Sequence, residues 1–108
     1  YNKKQLPDSA IADYTRAIAV KPDYSGAYTN RGNINFTKDR FDQAIEDYNQ
    51  ALKYDPSDAK TYLNRSFAWF RRGNLKEALN DAETAKSMNI DVNPNYLLDL
   101  KNRLAASK

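Results

Sequence analysis

The stretch from Ser25 to Asp58 recurs 34 positions later, from Ala59 to Val92, and this self-similarity leaves the chain few folds. Tyr28 aligns with Tyr62, Asn30 with Asn64, Arg31 with Arg65 and Phe36 with Phe70. Ala44, Asp47 and Ala51 align with Ala78, Asp81 and Ala85. Shifted the other way, Asp42, Ala44, Ile45, Asp47, Tyr48, Ala51 and Pro56 fall on Asp8, Ala10, Ile11, Asp13, Tyr14, Ala17 and Pro22. A period near 34 marks a helix–turn–helix unit that buries its apolar face only by stacking on neighbours. The aromatic residues recur at helical rather than alternating spacing, so no strand is expected.

The spacing predicts helices over Pro7–Val20, Ser25–Thr37, Phe41–Tyr54, Ala59–Arg72, Leu75–Met88 and Pro94–Ala106. Pro7 suits a first turn, where its missing N–H had no partner. Asp8 and Lys21 suit the dipole at the two ends of the first helix, and Pro22 helps to stop it. Asp23 or Ser25 is expected to cap the second helix, and Ser57 or Asp58 the fourth. Gly73 fits a C-terminal stop. Tyr1–Lys4 reads as the tail of a helix and Gln5-Leu6 as a turn, so the chain reads as a fragment of a longer protein. Gly32 and Ser66 fall mid-helix, and Ala44 and Ala78 fall one turn into the partner helices.

These residues carry a resemblance to the tetratricopeptide repeat (TPR) family, whose pattern runs W-x2-L-G-x2-Y, A-x3-F, P. The middle repeat has Tyr28-x2-Arg31-Gly32-x2-Asn35, Ala44-x3-Tyr48 and Pro56. The next has Tyr62-x2-Arg65-Ser66-x2-Trp69, Ala78-x3-Ala82, and Ile90 in place of Pro. Ahead of them lie Tyr1, Ala10-x3-Tyr14 and Pro22. Arg31 and Arg65 depart from Leu, Asn35 from Tyr, and Ala82 from Phe. The resemblance implies an all-α TPR helical-hairpin solenoid, a right-handed superhelix of antiparallel helix pairs. Residues 1–24 would be a partial repeat, 25–58 and 59–92 full repeats, and 93–108 a capping helix. It also implies that the small residues lie where the two helices of a repeat approach most closely.

Composition removes whole classes of function. With neither Cys nor His, the chain has no thiol chemistry and no His-based general base or metal ligand. The formal charge of +3 is mild and its signs are interleaved, which does not point to nucleic acid. No run is long enough to span a membrane. No glycine-rich phosphate loop is present. Asp42, Glu46 and Asp47 read as a solvated helix face rather than an acid–base or metal site. No enzyme, cofactor or metal is expected. The compartment is not readable, and the cytoplasm is the default.

A binding face is the better expectation, because solenoids bend and bind on the concave side. By the resemblance, the first helix of each repeat lines it. The inward residues are then Gly26, Thr29, Asn30, Asn33, Phe36 and Thr37, followed by Lys60, Leu63, Asn64, Phe67, Phe70 and Arg71. Asn amides can donate to and accept from a peptide backbone, Leu63 and Phe67 give apolar contact, and Lys60 and Arg71 meet a carboxylate. Phe36 and Phe70 are assigned to packing between helices, and Tyr28, Tyr62 and Trp69 to the core. Phe67, offset from that core, is the expected anchor. The expected function is a non-catalytic module that binds a protein or peptide, as an adaptor or scaffold.

Two alternatives stand beside it. One TPR subclass grips a C-terminal carboxylate with Lys and Asn residues and an Arg. In one register Asn30 and Lys60 match, but Asn64 replaces the Arg; in the next, Asn33 and Asn64 match, but Thr29, Pro94 and Leu98 do not. The other alternative is self-association through Ile11, Tyr14 and Ile18, a stripe that the sequence leaves without a full partner helix.

Overall fold

The computed structural model describes residues 6–106, with side chains from Ala10 onward. Among these residues there are six helices and no strand. They are α1 (Leu6–Val20), α2 (Ser25–Thr37), α3 (Phe41–Tyr54), α4 (Ala59–Arg72), α5 (Leu75–Ser87) and α6 (Pro94–Ala106). The helix expected at Tyr1–Lys4 and the side chain of Asp8 lie outside the described residues. Two compact units form: α1–α3, ending at Pro56, and α4–α6, starting at Ser57.

In the first unit α2 packs on α3 and α1 packs on α2. Small residues set the approach of α2 to α3. Gly32 and Ala44 are buried, and a Cβ added at Gly32 would stand 2.7 Å from Tyr48 Cε1 and 3.3 Å from the Ala44 carbonyl. Tyr48 occupies the space that a side chain at position 32 would need. Its hydroxyl donates to Asn33 Oδ1 at 2.6 Å. Phe36 meets Phe41 edge to face at 5.5 Å, so it does pack between helices.

The second unit solves the same contact differently. Ser66 stands at the Gly32 position and Ala82 at the Tyr48 position, so the smaller partner leaves room for a hydroxyl. Ser66 Oγ donates to the Ala78 carbonyl at 2.6 Å and lies 2.8 Å from the Tyr96 hydroxyl. Tyr96, from α6, packs against the buried cluster of Ala78, Ala82, Leu97 and Leu100. Its ring lies 5.0 Å from Phe67 and 5.8 Å from Phe70, placing Phe70 between α4 and α6 as expected. On α6, Leu97 and Leu100 are buried, while Leu98, Lys101, Asn102 and Arg103 are exposed.

Several local expectations are corrected. The N-cap of α2 is Tyr24, which makes no side-chain cap bond, rather than Asp23 or Ser25. Helix α5 ends at Ser87, with Met88 as its C-cap. Tyr28, Tyr62 and Trp69 are only half-buried rather than core, and each ring lies against an arginine three residues on: Arg31 at 5.6 Å, Arg65 at 5.4 Å and Arg72 at 5.7 Å. Ile11, Tyr14 and Ile18, the stripe proposed for self-association, are half-buried, and α1 packs on α2. Asp58 does cap α4, accepting from Thr61 N at 3.4 Å and from Thr61 Oγ1 at 2.7 Å. Gly73 takes the left-handed conformation at φ 96°. Asp39, its counterpart one repeat earlier, takes φ 61°.

Candidate peptide-binding faces

The strongest polar contacts belong to the scaffold. Arg31 donates through Nε to Asp47 Oδ2 at 3.0 Å and through a terminal nitrogen to Oδ1 at 2.7 Å. Asn35 adds a third donor to Asp47 at 3.1 Å, and Arg31 also reaches Thr15 Oγ1 on α1 at 3.1 Å. The pair recurs as Arg65–Asp81, at 2.7 and 2.8 Å. Two parallel bonds match the planar guanidinium to the carboxylate. Asp47 is therefore buried, at 5% exposure, and is not part of a solvated face, although Asp42 and Glu46 are exposed. Asp13, the counterpart of Asp47 on α1, is exposed and pairs with Arg16.

The charge of Arg31 is reinforced by its bond to Asp47, which outweighs the opposing effect of burial. Burial, aided by the nearby Asp47 charge, pushes the Tyr48 hydroxyl well above the usual tyrosine range. Burial also raises Tyr96, against the opposing bond to Ser66. A cleft of about 290 Å³ opens over the Arg31–Asp47 pair, lined by Ile11, Thr15, Arg31, Asn35, Gln43, Glu46 and Asp47. The charges at its floor pair with one another. Among the described residues, no cluster of acidic side chains could hold a metal ion, and no helix is long and apolar enough to cross a membrane.

The residues expected to bind peptide lie on a different side of α2 and on the matching side of α4. On α2, Asn30 and Thr37 are exposed, while Thr29 and Asn33 are half-buried. Thr37 donates to the Ile34 carbonyl at 2.8 Å, and Asn33 Oδ1 is engaged by Tyr48. On α4, Lys60 and Arg71 are exposed, and Leu63, Asn64 and Phe67 are half-buried. Phe67 is thus not a free-standing aromatic: one part of its ring rests on Tyr96. Tyr24, at the start of α2, is 47% exposed and is not among the expected contact residues. Its counterpart one repeat later, Asp58, is a helix cap.

A tetratricopeptide repeat family model matches residues 25–58. No curated protein matches the sequence. Among solved structures, the chain is 30% identical to the first TPR of Spaghetti (RPAP3) bound to the HSP90 peptide SRMEEVD, covering 95% of this chain and 83% of that one with a TM-score of 0.88. It is 29% identical to the first TPR domain of the human RPAP3 protein, covering 96% and 84%, with a TM-score of 0.86. The second TPR domain of human RPAP3, in complex with the HSP70 peptide SGPTIEEVD, is 28% identical over 92% of this chain and 84% of that one, with a TM-score of 0.83.

Proposed function

The chain belongs to the tetratricopeptide repeat family, and from that premise we propose that it is a non-catalytic interaction module that binds a peptide segment of a partner protein. The residues proposed to do so are Thr29, Asn30, Asn33 and Thr37 on α2, and Lys60, Leu63, Asn64, Phe67 and Arg71 on α4. Residues 1–24 are read as a partial repeat, 25–58 and 59–92 as full repeats, and 93–108 as the cap. One observation carries the reading: a TPR 30% identical over 95% of this chain holds a peptide. Asn30 and Thr37 on α2, and Lys60 and Arg71 on α4, are exposed to meet a ligand. Asn64 and Phe67 are partly accessible between Lys60 and Arg71 along α4.

The carboxylate-gripping variant is supported by Asn30 and Lys60, both exposed, and by the Glu-Glu and terminal Asp of the peptides bound to two relatives. Lys60 supplies the cation, and Asn30 supplies an amide.

Calorimetric titration with SRMEEVD tests both readings. Lys60→Glu is expected to weaken binding at least roughly tenfold, about 1.4 kcal/mol. An amidated peptide that binds as well as the free acid removes the carboxylate variant and leaves peptide binding standing. Random peptides displayed on phage and panned against the chain supply the wider probe. No enrichment there, with no heat from SRMEEVD or SGPTIEEVD, rejects the peptide-binding function.

A further inference from the structure

We infer that Tyr24 is a ligand contact on the α2 face, its ring taking an apolar side chain of an acidic peptide while Lys21 meets an acidic neighbour. The inference rests on the peptide-binding reading above and adds a residue and a ligand chemistry to it.

The repeat supplies its own control. Position 58 caps α4 with an aspartate that bonds the backbone and hydroxyl of Thr61. Position 24, its counterpart, holds a tyrosine that makes no side-chain cap bond. Short polar residues are strongly preferred at an N-cap, and losing one costs about 1 kcal/mol. Two residues on, α4 has Lys60 and α2 has Gly26. Glycine is a weaker helix former than lysine.

The two departures have one spatial meaning. A Cβ at Gly26 would stand 3.2 Å from Tyr24 Cε1, so glycine leaves the ring its place against the helix. Gly26, Thr29, Asn30 and Asn33 follow the i, i+3, i+4, i+7 spacing of one helix face. The ring of Tyr24 therefore sits at the start of the face proposed to bind peptide. It remains 47% exposed, which forfeits part of the burial an aromatic normally gains. Local preferences set aside for only a partial packing return are expected at functional sites. Tyrosine is among the residues that anchor interfaces, joining an apolar body to a polar tip.

The ligand chemistry follows from the neighbours. Lys21 Nζ lies over one face of the ring, 5.9 Å from its centroid, so the part of the ring left exposed adjoins a cation. An apolar residue next to an acidic one fits both. The peptides on two relatives, SRMEEVD and SGPTIEEVD, place Met or Ile directly before Glu-Glu.

The test uses Tyr24→Asn, a neutral residue that can cap α2, and Tyr24→Phe, which keeps the ring. SRMEEVD is the probe for titration, and urea unfolding reports stability. Tyr24→Asn is expected to weaken binding at least roughly fivefold with an unfolding midpoint no lower than wild type. Tyr24→Phe is expected to bind within about twofold of wild type, as a ring contact requires. If wild type binds and Tyr24→Asn binds equally well, the inference fails while the peptide-binding reading stands. A Tyr24→Asn midpoint that falls marks Tyr24 as structural and overturns the inference, as does a Phe variant as weak as the Asn variant. Wild type that does not bind SRMEEVD removes the acidic-peptide ligand, and this inference with it.

Discussion

At the scale of single residues, the chain is defined by what its arginines replace. Arg31 and Arg65 stand where the family pattern has leucine, and each is tied by two bonds to an aspartate sixteen residues on. A buried carboxylate is tolerated only when its hydrogen bonds are made, and Asp47 receives three. Removing one partner should cost more than the pair contributes, because the other charge stays behind unpaired. Asp47→Ala is expected to destabilise the fold by about 2–4 kcal/mol, the lower part of the range reflecting that Arg31 is partly solvated. Arg31→Leu combined with Asp47→Leu should cost less than Asp47→Ala alone. Denaturant unfolding of the three variants decides it; a double variant that is worse than the single one would show that the pair stabilises beyond its desolvation cost. Asp47 shows why a residue cluster is a poor guide to exposure. Asp42, Glu46 and Asp47 are alike in sequence, but only Asp47 is buried against α2.

At the scale of helices, close approach is set by matched pairs of residues. Gly32 with Tyr48, and Ser66 with Ala82, fill the same contact from opposite sides. Gly32→Ala, normally favourable inside a helix, should here destabilise by about 1–3 kcal/mol, because the new methyl group would lie within 3 Å of Tyr48. Pairing it with Tyr48→Ala should relieve the clash but leave a cavity and lose the bond to Asn33. The reading is wrong if Gly32→Ala raises the urea midpoint. Helix ends followed the sequence because capping and stop signals are local. The exception, Tyr24, lies where a local preference was set aside.

At the scale of the molecule, stability should respond to alkali. Tyrosines in an unfolded chain lose their protons near pH ~10. Tyr48 and Tyr96 hold theirs to higher pH when folded, chiefly because burial disfavours the charged form. Above about pH 10 the unfolded chain thus binds fewer protons than the folded one, and stability falls as pH rises. Below that pH the contribution is fully present. Urea midpoints measured between pH 8 and 11 are expected to drop at the alkaline end, and Tyr48→Phe should flatten the drop. Equal slopes for wild type and Tyr48→Phe would rule the mechanism out.

The helices, their boundaries to within a residue, the repeat period and the small residues at close contacts were legible in the sequence. The helices, their ends and the period depend on local propensity or on spacing, which one dimension records; the place of the small residues came from the resemblance to the repeat family. Tertiary structure decided which polar residues are structural. Asp47 and Asp81 became partners of arginines on the preceding helix, Asn33 became the acceptor for Tyr48, and Phe67 gained Tyr96 from a helix almost thirty residues on. It also covered part of the stripe of Ile11, Tyr14 and Ile18 by packing α1 on α2. Such contacts depend on where helices cross, and nothing in the local sequence of either partner encodes that.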